Sequence, residues 1–181
     1  NRLQTDYIEL DQAHRDDEDT PLQATLATFD GLIEEGKVRA IGASNYSADR
    51  LSEALKISAD AGLARYETLQ PEYNLYDREG YESGLEAVVE EHGLGVINYY
   101  SLASGFLSGK YRKPEDAAKS ARGQGVVEKY LNDRGLKIVY ALVQVAEAHQ
   151  ASPTQVALIG RAWCRERVYV SVVAVSLNKN D

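Results

Sequence analysis

Five places in the chain put a polar or aromatic group directly after a short apolar stretch. His14 follows "DYIELDQA", Ser44 and Asn45 follow "KVRAIGA", and Gln70, Glu72 and Asn74 fall within or just after "YETL". Tyr99, Tyr100 and Ser101 close "LGVIN", and Ser176 closes "RVYVSVVAV". An imidazole titrates near neutrality and can donate to a substrate or exchange a proton with it. Hydroxyls and carboxamides offer donors and acceptors together, which suits the orientation of a small polar ligand. Taken singly, each has a plainer reading. Ser and Asn after a strand serve as turn and cap residues, Gln70-Pro71 can stop a strand, and paired tyrosines usually pack. The acidic run Asp16 to Asp19 reads as a solvated loop that favours the helix start after it. His92 and His149 fall at helix ends and receive no role. The functional reading rests on the recurrence at five successive strand ends.

The elements that would carry these groups alternate. Tyr7 to Ala13 reads as a first strand. Thr20-Pro21-Leu22-Gln23 reads as a helix start, with Thr20 as the cap, Pro21 in the first position and Gln23 completing a capping box. Leu22, Leu26, Phe29 and Ile33 then recur on one helical face, and Gly36 ends it. Ser47 caps a second helix that stops near Gly62. A third helix runs from about Gly80 to His92 and stops at Gly93. Leu102 to Asn132 reads as a long polar loop. It is followed by a helix from Asp133 to His149, another opened by Ser152-Pro153-Thr154-Gln155, and a fifth strand at 167–176. Gly36, Gly62 and Gly93 are spaced 26 and 31 residues apart, the length of a βα unit. Strands alternating with helices imply an α/β fold with a parallel sheet and right-handed crossovers. Either an open doubly wound sheet or a (β/α)8 barrel places its ligand at the carboxyl ends of the strands. No G-x-G-x-x-G turn follows a strand, which weakens the open dinucleotide-binding sheet.

Composition bounds the rest. The chain has 181 residues, 44% hydrophobic and 27% charged, with a net charge of −8. That balance fits one globular domain and argues against a nucleic-acid surface, which needs a concentrated basic face. No apolar run approaches the ~18 residues of a membrane span. No signal-peptide pattern opens the sequence. The one cysteine, Cys164, has no second to pair with and no neighbouring ligands for zinc, so a reducing cytoplasm is expected. The absence of methionine suggests a chain that starts downstream of the true N-terminus.

Several strings resemble the aldo-keto reductase superfamily. "RLQTDYIELDQAHR" is similar to its fourth-strand segment, "GKVRAIGASNYSADRL" to the fifth, "LQPEYNLYDRE" to the sixth, and "GVINYYSLASGFLSGKYR" to the seventh with its cofactor loop. "ASPTQVAL" resembles the helix before the last strand. The long "SGKYR" loop points to the bacterial branch related to the potassium-channel beta subunits. The resemblance implies about five βα units from the C-terminal part of a (β/α)8 TIM barrel, as one incomplete domain over 1–181. It also implies NADPH as hydride donor and a small-molecule carbonyl compound as substrate. His14 would then be the family's catalytic histidine, donating to the substrate carbonyl. Ser44, Asn45 and Gln70 would hold the nicotinamide carboxamide, with Tyr99 stacked on its ring. Ser101, Leu102, Ser104 and Lys110 would close over the pyrophosphate, where a cation is expected. Arg122 would reach the adenosine side, and Ser176 the 2′-phosphate.

Three departures qualify the resemblance. The family's other catalytic groups, an Asp, a Tyr and a Lys, belong to strands before the fourth, and no residue here matches their motifs. Asn98, Tyr100 and Ser101 replace a more usual Pro-Ser-Pro. From Ile159 to Val175 the pattern is lost. The expectation is therefore the later part of an NADPH-dependent carbonyl reductase, inactive by itself. The alternative is a non-catalytic cofactor-binding sensor or interaction subunit. Substrate, oligomeric state (a homo-oligomer included) and the preference for NADPH over NADH stay open.

Overall fold

The computed structural model describes residues 4–159. They fall into two compact units. One contains 4–72 and 79–99, the other 73–78 and 100–159.

The first unit is a layered α/β arrangement. Its strands are β1 (Ile8–Ala13), β2 (Val38–Ser44), β3 (Tyr66–Gln70) and β4 (Gly95–Val96). They lie in sequence order and every pair is parallel, as the alternating pattern predicts. Gln12 stands opposite Gly42, and Ser44 opposite Gln70. Between the strands run α1 (Leu22–Glu34), α2 (Ala48–Ala61), α3 (Glu79–Glu82) and α4 (Leu85–His92). Leu22 and Leu26 of α1, Leu51 and Leu55 of α2, and Val89 of α4 are buried with Ile41, Ala43, Tyr66 and Leu69 from the strands. Full burial of each large aliphatic side chain contributes about 1.5–3 kcal/mol, which is what holds the helices on the sheet. Gly36, Gly62 and Gly93 take φ of 70°, 66° and 64°, the left-handed stop the sequence predicts.

Three local expectations are corrected. Thr20 does not cap α1. Its hydroxyl donates to Asp17 Oδ2 at 2.7 Å, and Pro21 occupies the cap position without a side-chain bond. The third helix is broken into α3 and α4 around Ser83 and Gly84. The fourth strand is only two residues long, extended by a single parallel bridge between Glu72 and Tyr99. The fifth strand at 167–176 lies outside the described residues.

The second unit overturns the long polar loop. Residues 102–132 contain two 3₁₀ segments, Ala103–Ser108 and Pro114–Lys119, and helix α5 (Gly123–Tyr130). With α6 (Asp133–Ala148) and α7 (Pro153–Ile159) they build a core of Phe106, Leu107, Tyr111, Val126, Tyr130, Ile138, Val139 and Leu142. Phe106 stacks on Tyr130 at 5.6 Å between ring centroids. Asn132 caps α6, its side chain accepting from Gly135 N–H at 3.0 Å. The segment 73–78 is tied into this unit through Asp77, which accepts from the Tyr130 hydroxyl at 2.9 Å and from Lys129 Nζ at 3.2 Å. Burial pushes the Asp77 carboxyl up, but the Asn74 amide, the Tyr130 hydroxyl and the Lys129 ammonium outweigh it and hold it low.

Candidate functional site

In the first unit the expected groups gather at the carboxyl ends of β1, β2 and β3 and beyond β4. Asn45 joins them. It follows Ser44 with φ of 56°, a left-handed conformation that Asn tolerates better than other side chains. Its Nδ2 donates to the His14 carbonyl at 2.8 Å and to Ser44 Oγ at 3.1 Å. Its Oδ1 accepts from the Tyr99 hydroxyl at 2.7 Å. Ser44 is buried and donates to the Gln70 carbonyl at 2.8 Å. One amide therefore links the ends of β1 and β2 to Tyr99, and one hydroxyl links β2 to β3. The His14 imidazole is exposed, with no hydrogen bond or ion pair of its own among the described residues.

Asn45 and Tyr99 also line a cleft of about 180 Å³, with Tyr46, Leu69, Pro71, Glu72, Gly80 and Leu85. Sites that take a whole drug-sized ligand run to roughly 300–1,000 Å³, so this cleft matches one ring rather than a dinucleotide. Ser44 and Gln70 do not line it. Below it the Tyr46 and Tyr66 hydroxyls lie 3.1 Å apart. Burial pushes both phenols up, and for Tyr66 the bond to Tyr46 adds to the rise. Neither phenol is suited to give up a proton near neutrality.

Two features depart from the sequence reading, one by correcting it and one by lying outside it. Asp16 is not a solvated acid. It takes a fork from Arg50, Nε to Oδ2 at 2.7 Å and Nη2 to Oδ1 at 2.9 Å. The bond to Asp16 raises the Arg50 guanidinium further above its ordinary range. One layer beneath His14 and Ser44, Gln12 Nε2 donates to Thr68 Oγ1 at 3.0 Å across Gly42. A Cβ at Gly42 would lie 2.2 Å from Thr68 Oγ1 and 2.4 Å from Gln12 Oε1. Lone charges and small residues carry no periodic signal, so nothing in the sequence marked them.

The remaining candidates belong to the second unit. Ala103, Ser104 and Gly105 form a left-handed run, with φ of 49°, 54° and 92°. The Leu102 carbonyl accepts from Gly105 N–H at 2.9 Å and from Leu107 N–H at 3.2 Å. Lys110 folds back on this turn, its Nζ and Cε 3.4 Å from where a Gly105 Cβ would stand. Lys110 thus lies beside Gly105, in the turn that also contains Leu102 and Ser104. Ser101 precedes them, partly buried. Arg122 is exposed at the entry to α5. Ser176 lies outside the described residues. Among the described residues no group of three or more His, Cys, Asp or Glu side chains could hold a metal ion, and no helix is long and apolar enough to cross a membrane.

Comparison with known proteins supplies a frame for this geometry. The sequence pattern of the aldo/keto reductase family matches residues 1–180. A probable voltage-gated potassium channel subunit beta of Oryza sativa subsp. japonica is 32% identical over 99% of this chain and 55% of its own length. The L-glyceraldehyde 3-phosphate reductase of Escherichia coli K12 is 30% identical over 99% of this chain and 52% of its own. Protein tas of the same strain is 32% identical over 99% and 56%. The chain therefore spans about half the length of the curated relatives it matches.

Proposed function

The chain belongs to the aldo/keto reductase family, and from that premise we propose that the protein it forms part of reduces aldehydes or ketones to alcohols with NADPH. The observation that carries the reading is the His14–Asn45–Tyr99 arrangement. An exposed imidazole stands at a strand's carboxyl end, its backbone held by the amide of a residue that also lines the ring-sized cleft. The cofactor, when bound, supplies the hydride. The donor set fits the nicotinamide end. Asn45 presents the second lone pair of its Oδ1 to a carboxamide, and Tyr99 offers a ring face beside it. Ser44 and Gln70 stand at the same strand ends, and Ser44 braces them. His14 donates from its imidazole to the substrate carbonyl oxygen and fixes which way that carbonyl faces. Ser101, Leu102, Ser104 and Lys110 hold the phosphates, Lys110 through its charge. Arg122 and Ser176 serve the adenosine side. The four parallel strands in sequence order suit one arc of a (β/α)8 barrel. The family's Asp, Tyr and Lys come from elsewhere in the full-length protein, so residues 1–181 alone are inactive. A cytoplasmic setting, a small-molecule substrate and no nucleic-acid or membrane partner complete the reading.

A second reading draws support from the relatives named as potassium channel subunits. In it the protein binds the cofactor as a sensor or interaction subunit without turnover. His14→Gln in the full-length protein separates the two. Loss of a positioned donor is expected to lower kcat for 4-nitrobenzaldehyde about 10²–10⁴-fold while NADPH binding, followed by fluorescence titration, persists. Binding without turnover in the unmodified protein selects the sensor.

A further inference from the structure

His14 has no side-chain partner of its own among the described residues, so its aim is set by the backbone that carries it. That backbone is held at two points. Asn45 Nδ2 takes the His14 carbonyl at 2.8 Å. Two residues further on, Asp16 receives the Arg50 fork at 2.7 and 2.9 Å. Within the acidic run only Asp16 is drawn in. Its side chain is 11% exposed, whereas Asp17, Glu18 and Asp19 are all exposed. Arg50 is fixed at its own end as well. It lies in the first turn of α2, where its N–H donates to Ser47 Oγ at 3.3 Å, and its Nη1 donates to Glu53 Oε2 at 3.1 Å. A planar guanidinium gripping both oxygens of a carboxylate fixes direction as well as distance, which an ammonium cannot do. The loop leaving β1 is thereby fastened to a packed helix just past the imidazole.

We infer that Asp16 and Arg50 are positioning residues for His14, an ion-pair clamp that keeps the imidazole at the strand ends where a carbonyl oxygen can meet it. This rests on the reading of His14 given above. The clamp acts on the reacting geometry and not on the cofactor, because neither residue lines the cleft of Asn45 and Tyr99.

The test uses the full-length protein and compares Asp16→Asn, Arg50→Lys, His14→Gln and the Asp16→Asn/His14→Gln pair. Arg50→Lys keeps the charge and loses the fork. Both clamp variants are expected to lower kcat for 4-nitrobenzaldehyde about tenfold, the scale of a donor misplaced by a fraction of an ångström. The NADPH dissociation constant should stay within twofold. Added to His14→Gln, Asp16→Asn should leave the residual rate within twofold, since there is no imidazole left to aim. A further drop in that background, or a clamp variant that no longer binds NADPH or melts below the assay temperature, assigns the pair to the fold and overturns the inference. A clamp variant with an unchanged kcat overturns it too. If His14→Gln itself keeps its rate, the reading of His14 has failed and the clamp falls with it. If only His14→Gln loses rate, the reading stands and the clamp alone is wrong.

Discussion

Asn45 does more at the strand ends than its sequence position suggests. Its amide is engaged at both ends, to the His14 carbonyl and to the Tyr99 hydroxyl, so a bound carboxamide would meet the second lone pair of Oδ1. Tyr99 can contribute through its ring or through its hydroxyl, and two substitutions separate them. Tyr99→Ala is expected to weaken NADPH binding by about 1 kcal/mol, roughly fivefold, as befits a lost aromatic stack. Tyr99→Phe keeps the ring and should stay within twofold. Equal losses in a fluorescence titration would move the effect to the hydroxyl. Gly42 is a second single-residue constraint. A methyl there meets Thr68 Oγ1 and Gln12 Oε1 well inside contact distance, and the Gln12–Thr68 bond must give way. Gly42→Ala is expected to cost about 1–3 kcal/mol, the range of an overpacked core, read as a lower urea midpoint.

At the scale of elements, caps and stops decide where helices begin and end. Asn132 caps α6 through Gly135 N–H, and Asn132→Ala should cost about 1 kcal/mol, measured by chemical denaturation. Elements of this kind were legible in the sequence where one residue acts alone. The left-handed glycines ended the helices as read, and Ser47 accepts from Arg50 N–H at the start of α2. Thr20 failed as a cap because the helix starts one residue later than read, with Pro21 in the cap position, and the Thr20 hydroxyl turns back to Asp17. The stretch 102–132 was misread for a different reason. Phe106, Leu107, Tyr111, Val126 and Tyr130 are all buried, but short 3₁₀ turns present no sustained 3.6-residue period. Asp16 was misjudged because its partner lies 34 residues away, and composition alone treats an acidic run as uniform. His14, Ser44, Asn45, Gln70 and Tyr99 could be placed at strand ends from the pattern. The bonds among them could not, since hydrogen bonding across strands depends on register.

For the whole molecule, acid is the informative stress. The backbone N–H of Arg112, then the Lys119 ammonium and the N–H of Lys113, hold the Asp116 carboxyl at about 2. A carboxyl lowered by folding stabilises the folded state above its unfolded value near 4, and that contribution fades as pH falls toward 2. Asp116→Asn should therefore destabilise the protein at pH 6, and its difference from the unmodified protein should shrink between pH 4 and 2. Urea midpoints at several pH values test this, and a constant difference would exclude Asp116 as the source. The sheet makes a separate demand. Among the described residues β1 pairs only with β2, and an open strand edge invites association. Residues 1–181 expressed alone are expected not to form a stable monomer. A monodisperse monomer with a sharp thermal transition would refute that.

The placement of residues 73–78 sets a schedule for synthesis. This segment emerges between β3 and α3, yet its anchors are Tyr130, 53 residues after Asp77, and Arg134, 58 residues after Tyr76. At about 5–20 residues per second, a ribosome needs roughly 3–12 s to make them. The flanking strands and helices can close up during that interval while Asp77 has only Asn74 to bond with and waits for Tyr130 and Lys129. Slow codons between 78 and 134 would lengthen the wait and leave a hexapeptide with two tyrosines open to chaperones and proteases. The cell meets this segment first as an unfinished loop.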